Sequence, residues 1–527
     1  MKTKRKISNL MLGALFASAM AFPLATPGFA GSDDTIVVGL QAEPVTFDPT
    51  QISDLNTARV VRRVYEGLIG IKYGTYDLEP RLAESWEVSA DGLVYTFKLR
   101  AGVKFHDGTD FNAEAAKFSF ERQRDENHPA HGALTYRGAK AYLGPVDTIE
   151  VIDDLTLRIT LHDPSGPFLA RVTGMTMKII SPAALTAHGD DVGQFPAGTG
   201  PYKLDEWEPG IRATLSANAD YWGGAPEIEK IIYVPIVEPA ARLSAVTTGE
   251  IDLTVDVPFD SLADLEENPD VMVKQGPSAH VWFVALNTQL SDPPFDNVLV
   301  RRAMNHAVDK EGIVKDILQG TAVVSTGPLS PGYGDMHNAD VQQYPYDPDK
   351  ARELLAEAGH PDGFGNCEFM VPESGSGMQA PVEMGTFIQA NLAAVGINCN
   401  IKTMEWGAYL KAYREHPQMA QMSWNPPNGD PDIVLNMLLN SANSPPGWNA
   451  GSYKNDEVDK LVVGAQRSSD PEKRREFYLE AQALIAQDAP WIFVDHGSQI
   501  IAHSAKLKGF LVSPDFDLVV EGTTFGE

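Results

Sequence analysis

The chain has 527 residues, of which 43% are hydrophobic, and its formal net charge at pH 7 is −29. So acidic a surface repels nucleic acids and anionic lipids, and neither is expected as a partner. A chain of this length exceeds what one hydrophobic core supports, so two or three domains are expected.

The first thirty residues have the pattern of a secretory signal. Basic residues at positions 2–6 precede the apolar stretch Leu10–Ala25, and Gly28 and Ala30 occupy the positions that signal peptidase reads. Cleavage is expected after Ala30. A retained membrane anchor is the alternative, but the apolar run is short for a span. No cysteine lies near the cleavage site, so we predict an unlipidated protein in the periplasm.

Strands and helices alternate along the N-terminal half. Thr35–Leu40 predicts a buried strand, and the apolar spacing within Asn56–Gly67 predicts a helix. Ser85–Leu99 predicts a hairpin with a glycine turn. Asn112 is expected to cap a helix over Ala113–Arg122. Further strands are predicted at Ile149–Leu161, from Thr199 onward and at Ile228–Pro235.

The C-terminal half contains a predicted βαβ unit. Strand Cys367–Val371, helix Ala380–Val395 and strand Ile397–Met404 follow one another, which implies neighbouring parallel strands. Cys367 and Cys399 lie near the starts of these strands and therefore at the same end of the pair. They are candidates for a disulfide in an oxidising compartment. The alternative is that they are two small buried apolar residues.

Two more helices are bounded by clear signals. One begins at Asp347-Pro348 and ends at Gly359, and the other begins at Asp470-Pro471 and ends at Ala489-Pro490. Strands are predicted after the second helix, at Trp491–Val494 and Gln499–Ala502. No internal repeat or low-complexity linker separates the elements, so the domains are predicted to be interwoven.

The sequence shows no catalytic or metal-binding motif. A nucleophile elbow, a P-loop, an H-E-x-x-H motif and an EF-hand are all missing. His128 and His131 are three residues apart, but Pro129 between them favours a loop over a metal site. We therefore predict no enzyme activity, no catalytic residues, no cofactor and no metal.

Aromatic side chains cluster beside turns in the C-terminal half. Trp406, Tyr409, Tyr413 and Trp424 are of the kind that forms walls around small amphipathic ligands. The alternative, which we favour for Tyr409, is an ordinary helix face packed on a core. The sequence therefore predicts a binding protein for a small molecule.

Five segments of the chain form a recognisable set, namely Ala83–Arg122, Gly198–Leu204, Ala219–Gly224, Pro294–Asp309 and Tyr346–Gly359. Together they resemble the signature of the family 5 extracellular solute-binding proteins. These proteins are the peptide, dipeptide, nickel and glutathione receptors of ABC importers. The similarity extends over essentially all of the chain after residue 30.

The resemblance implies an α/β fold of two lobes that close on a ligand like a Venus flytrap. Two hinge strands would join the lobes, near Phe283–Asn287 and Phe493–Ser498. Lobe I would carry an extra α+β subdomain. The implied boundaries are 31–75, 196–285 and 495–527 for lobe I, 76–195 for its extra subdomain, and 286–494 for lobe II.

The resemblance also implies a function. The protein would capture a small peptide or a glutathione-like ligand and deliver it, as a monomer, to an inner-membrane permease served by ATPases. Ser444–Asn455, Ala489–Ile492 and Ala502–Phe510 are similar to the glutathione-binding branch. The alternatives are a receptor of the same family for an opine, amino-acid derivative or metal chelate, and a binding module used in sensing. A secreted hydrolase is the third possibility, but it would need a nucleophile and a base, and the sequence shows no such arrangement.

The run Ser423–Val434 matches the pocket loop of this family. The resemblance implies that Trp424 and Trp406 are pocket tryptophans. Asn425, Tyr65 and Phe47 are further candidates for contact with the ligand.

The same loop departs from the peptide receptors at one position. In those receptors an aspartate three residues after the loop tryptophan binds the ligand's ammonium group, and here that position is Pro427. Asp430 is a candidate replacement, with local turn hydrogen bonding as its alternative role. The dipeptide receptors' carboxylate-binding arginine has no counterpart in Pro381–Met384, which reads P-V-E-M.

Overall fold

The structure is a computed structural model that describes residues 34–526 except 53, 74, 75, 137, 138, 277, 376 and 427. The predicted signal peptide and Pro427 therefore lie outside the described residues. Within the described part of the chain, no helix is both long enough and apolar enough to cross a membrane.

Three larger sheets organise the described residues. The seven-stranded sheet contains, in spatial order, Val271–Gly276, Gln499–Ser504, Leu253–Val255, Thr35–Leu40, Lys230–Pro235, Arg212–Ala217 and Tyr202–Glu208. The six-stranded sheet contains Ala322–Val324, Trp491–Gly497, Val281–Leu286, Met419–Trp424, Phe364–Pro372 and Ile397–Met404. The four-stranded sheet contains Ala83–Val88, Val94–Leu99, Thr156–Leu161 and Val146–Asp153.

Helices pack against these sheets, and three two-stranded ribbons complete the strands. The ribbons pair Ile69–Ile71 with Leu78–Pro80, Leu507–Lys508 with Thr524–Phe525, and Leu511–Val512 with Leu518–Val519. The α-helices among the described residues are Leu55–Val61, Ala113–Arg124, Ala139–Leu143, Phe168–Val172, Pro182–His188, Pro239–Thr248, Leu262–Glu266, Val298–Ala307, Lys310–Gly312, Pro348–Glu357, Pro381–Ala394, Trp406–Tyr413, Asp432–Leu439, Asp456–Arg467 and Pro471–Asp488.

We call the seven-stranded and four-stranded sheets with their helices lobe I, and the six-stranded sheet with its helices lobe II. The residue boundaries given above for the lobes stay predictions. The chain crosses from lobe I to lobe II between Gly276 and Val281 and returns between Gly497 and Gln499. The crossings lie side by side, since the Gly497 amide donates to His280 Nδ1 at 3.0 Å.

The central strand Val281–Leu286 is buried on both faces, so each face of the lobe II sheet has to be covered by helices. All six of its residues are buried. Because side chains alternate across a strand, Val281 and Phe283 face one core and Trp282 and Val284 face the other. A strand buried on both faces reads as a continuous apolar run, as this one does.

The predicted βαβ unit is confirmed. Strands Phe364–Pro372 and Ile397–Met404 pair in parallel, with helix Pro381–Ala394 between them in the chain. Cys367 and Cys399 are register partners and form a disulfide, with Cα atoms 4.5 Å apart.

The structure differs from two expectations. The helix expected to reach Gly67 ends at Val61, because the carbonyls of Arg63 and Val64 accept hydrogen bonds from the distant segment 200–202 instead of from their own helix. The hinge strand expected near Phe283–Asn287 falls largely within the six-stranded sheet, where Phe283 pairs with Met422 and Phe493. The crossing into lobe II therefore occurs a few residues earlier.

Candidate ligand cleft

The loop between strand Met419–Trp424 and helix Asp432–Leu439 faces lobe I. Its Gly429 has a φ of 63° and lies against the Tyr76 ring of lobe I, so a Cβ at this position would collide with that ring. The Tyr76 ring also stacks on Tyr333 of lobe II, with centroids 6.0 Å apart. Tyr76 Oη donates to the Pro514 carbonyl at 2.9 Å, which anchors the ring to lobe I. The loop therefore forms one wall of the cleft between the lobes.

A row of aromatic rings supports this wall from within lobe II. Trp406 stacks on Tyr409 with centroids 5.8 Å apart, and Tyr409 contacts Tyr413 at 6.1 Å. The Trp448 ring links Tyr413 to Trp424, because its centroid lies 6.3 Å from the Tyr413 centroid and 5.3 Å from the Trp424 centroid. The row connects the two predicted pocket tryptophans through a packed core, which holds the Trp424 ring in place.

Tyr409 belongs to the core, as favoured from the sequence. Its side chain is fully buried, and its hydroxyl donates to the Gln421 carbonyl. The buried hydroxyl thus has its hydrogen bond inside lobe II.

Three polar atoms near the loop are buried without a hydrogen-bond partner among the described residues. They are Trp424 Nε1, Asn425 Oδ1 and Asp432 Oδ1. Leaving a buried polar group unpaired costs about 1–3 kcal/mol, so a water or ligand that pairs with these atoms would be favoured there. The set offers a ligand one indole donor and two oxygen acceptors.

Asp430 is fully engaged inside lobe II. Its side chain is 6% exposed, and both carboxylate oxygens accept hydrogen bonds from Arg474 Nη2, at 2.8 and 2.7 Å. Its Oδ1 also accepts from the Asp432 amide at 3.0 Å. This geometry fits the alternative role considered for Asp430, which is to hold the turn, and Arg474 already neutralises the charge that a ligand ammonium would need.

Asp432 is the carboxylate of the loop that reaches the other lobe. Its Oδ2 lies 3.6 Å from Arg171 Nη2, in helix Phe168–Val172 of lobe I. Burial, and then the nearby charge of Asp430, raise the pKa of Asp432 to about 6. Asp432 is therefore ionised at pH 7 and forms an ion pair across the cleft.

The remaining predicted site residues are placed apart from the loop. Tyr65 lines a cavity within lobe I. Phe47 is fully buried in the core of lobe I, with its ring against Trp207 at 5.3 Å. The structure brings Trp424, Asn425 and Asp430 together in one loop, but not Tyr65 or Phe47 with them. The contacts of these residues with a ligand stay predictions.

Sequence reasoning missed the residues that complete the cleft from a distance. Arg171, Tyr76 and Tyr333 are far from the loop in the chain, and nothing in their local sequence indicates the contact. Trp448 carried a signal, since it lies in the segment Ser444–Asn455 that resembles the glutathione-binding branch.

The histidine pair in lobe I has structural partners. The His128 ring packs edge-on against Phe118, and His131 Nδ1 lies 2.8 Å from the Arg122 carbonyl. Among the residues that the structure describes, no group of three or more His, Cys, Asp or Glu side chains is arranged to hold a metal ion.

Comparison with known proteins identifies the family. Residues 77–446 match the model of the bacterial extracellular solute-binding proteins, family 5. The chain is 34% identical to heme-binding protein A of Haemophilus influenzae, over 94% of this chain and 93% of that protein. It is also 34% identical to the glutathione-binding protein GsiB of Escherichia coli, over 93% of this chain and 94% of that protein.

A solved structure shows the same fold. The structure of HbpA2 from Haemophilus parasuis has a TM-score of 0.87 and 31% sequence identity, and the match covers 94% of this chain and all of that one. The fold is therefore the two-lobed α/β fold of the periplasmic binding proteins. The chain belongs to family 5 of the bacterial extracellular solute-binding proteins, the substrate-binding components of ABC importers.

Proposed function

We propose that the protein captures a small peptide-like ligand, with glutathione as the best single candidate, between its two lobes. The observation that carries this proposal is the cleft loop, in which Trp424 is held by an aromatic row while its indole nitrogen and the Asn425 oxygen are unpaired. An indole platform with a few fixed polar groups suits a small amphipathic ligand. The relationship to a protein named glutathione-binding supports the choice of ligand.

The transport step follows from closure of the cleft. The ion pair between Arg171 and Asp432 and the stacking of Tyr76 on Tyr333 join the lobes on the ligand side. We propose that the closed, monomeric form docks on an inner-membrane permease with its ATPases. We also propose that the protein binds its ligand without transforming it, and acts in the periplasm as an unlipidated protein after cleavage behind Ala30.

A thermal-shift screen tests the proposed ligand class. The screen should contain reduced and oxidised glutathione, dipeptides, longer peptides, an opine, a nickel chelate and haem. A true ligand at a hundred times its Kd is expected to add about 2.7 kcal/mol to the free energy of unfolding. Stabilisation by haem, the opine or the nickel chelate alone would overturn the peptide-like class.

The variant Trp424→Ala tests the site. It is expected to remove the ligand-induced shift while the protein still unfolds cooperatively. Trp86→Ala is the matched control, because Trp86 is a partly buried indole in strand Ala83–Val88 of the four-stranded sheet of lobe I. Unchanged affinity in Trp424→Ala would remove this residue from the site.

A further inference from the structure

A cavity of about 380 Å³ lies within lobe I beside the cleft, a volume within the ~300–1,000 Å³ that small-molecule pockets span. Two of its lining residues adjoin contacts between the lobes. Thr173 follows Arg171 by two residues, and Asp515 follows Pro514, whose carbonyl holds Tyr76. The cavity therefore borders the side on which a ligand is enclosed.

The lining of this cavity is unusually charged for an interior surface. It contains four cationic and four acidic side chains, so the charges balance. The arginines have protein partners: Arg62 pairs with Asp515 at 2.7 Å, and Arg63 pairs with Asp517 and Glu521. Arg81 pairs with Glu79 at 2.5 Å.

Lys178 is the cation of this lining whose ammonium makes no hydrogen bond or ion pair with any described residue. Lys178 forms no ion pair with Glu66, whose carboxylate accepts hydrogen bonds from Thr199, Tyr221 and Trp222. Burial, and then the charge of Arg62, lower the pKa of Lys178 to about 8. The Lys178 side chain is half-buried, and an ammonium without a carboxylate partner at the wall of a cavity attracts an anionic group.

Two acidic groups in the same cavity each keep a free oxygen. Asp515 Oδ1 and Glu521 Oε2 are buried and have no hydrogen-bond partner among the described residues. Their other oxygens accept from Arg62 and Arg63. The cavity thus offers the Lys178 ammonium and two unpaired carboxylate oxygens, and among its lining residues Arg63 Nε and Tyr65 Oη are also buried without a partner in the described part of the chain.

We propose that this cavity binds the zwitterionic α-amino-acid end of the ligand, with its α-carboxylate on Lys178 and its α-ammonium on the free oxygens of Asp515 and Glu521. This inference rests on the proposed function, and it specifies which chemical group of the ligand the site recognises. The balanced lining favours a zwitterion over a highly charged anion such as phosphate. It also provides an ammonium anchor in a protein whose loop has Pro427 at that position and whose Asp430 is paired with Arg474.

Calorimetric titration with γ-glutamylglycine tests the proposal, because this dipeptide carries its ammonium and one carboxylate on the same carbon. Two analogues are compared with it: the N-acetyl derivative, which lacks the ammonium, and the α-carboxamide, which lacks that carboxylate. Each modification is expected to weaken binding to the unaltered protein at least tenfold. Equal binding of all three compounds would overturn the proposal without requiring any variant.

The variant Lys178→Gln provides the second arm. It is expected to weaken binding of γ-glutamylglycine at least tenfold and to bind the α-carboxamide as well as the unmodified dipeptide. Lys506→Gln, at an exposed lysine, is the control and should bind like the unaltered protein. If Lys178→Gln binds γ-glutamylglycine as tightly as the unaltered protein does, this site is overturned and the proposed function is left intact. Failure of every peptide, glutathione and γ-glutamylglycine to bind the unaltered protein would overturn both.

Discussion

Arg171 and Asp432 face each other across the cleft, with Nη2 and Oδ2 3.6 Å apart and side chains 21% and 10% exposed. The pair joins the helix Phe168–Val172 of lobe I to the first turn of the helix Asp432–Leu439 in lobe II. No other ion pair links these two helices among the residues that the structure describes, so this pair favours the closed arrangement of the lobes at this point.

We expect Arg171→Met to shift the protein toward an open form. Losing a partly screened pair of this kind removes about 1 kcal/mol, which changes the ratio of closed to open molecules roughly fivefold. Small-angle scattering without ligand should show a larger radius of gyration. Arg352→Met removes an exposed pair with Asp349 and is the control. An unchanged radius in Arg171→Met would show that the pair does not control closure.

The same carboxylate predicts a pH dependence of stability. Burial raises the pKa of Asp432 from 3.8 to about 6, so between these pH values the folded state binds more protons than the unfolded state. The free energy of unfolding that this group contributes therefore falls as pH rises from about 4 to 6, by up to about 3 kcal/mol.

Urea denaturation at pH 4.5 and pH 7 checks this sign. Relative to the unaltered protein, Asp432→Asn should lose less stability, or gain some, on going from pH 4.5 to pH 7. The exposed Asp349→Asn should follow the unaltered protein. If Asp432→Asn also follows it, the Asp432 carboxyl titrates as it does in the unfolded chain.

The buried pair of Asp430 and Arg474 predicts a larger effect. Arg474→Met leaves the Asp430 carboxylate buried without its cation, and this is expected to cost about 3–5 kcal/mol. The double variant Asp430→Asn with Arg474→Met should recover part of this loss, because no charge then stays buried. Urea unfolding of the three proteins measures both effects. Equal stability of Arg474→Met and the unaltered protein would contradict a structural role for the pair.

Local patterns predicted the elements whose contacts are local. The strand Thr35–Leu40 and the strand Ile397–Met404 have the expected bounds, and Asn112 caps its helix through a hydrogen bond from the Ala115 amide. The predicted end of the helix Leu55–Val61 was too late, because the carbonyls of the following residues accept hydrogen bonds from amides in segment 200–202. The apolar periodicity of a helix gives no information about hydrogen bonds to a distant segment.

In the ligand cleft too, the sequence predicted the local segment but not its distant partners. The resemblance located the loop around Trp424, but the partners of that loop come from remote positions. Asp430 was a reasonable anchor from sequence, since its partner Arg474 is 44 residues away and in another helix. Lys178 gave no signal, because its lack of a partner is a property of the folded cavity.

The disulfide between Cys367 and Cys399 gives the last prediction. The bridge closes a loop of sequence separation 32, and the loss of this restraint on the unfolded chain is expected to cost about 3–4 kcal/mol. Cys367→Ala with Cys399→Ala should therefore unfold at lower urea concentration. Ligand binding should persist, because the two cysteines lie near the starts of parallel strands and the loop with Trp424 follows the end of a neighbouring parallel strand. Thiol labelling of the denatured, unreduced protein should find no reactive cysteine. Two labelled thiols would show that the pair is reduced and acts only by packing.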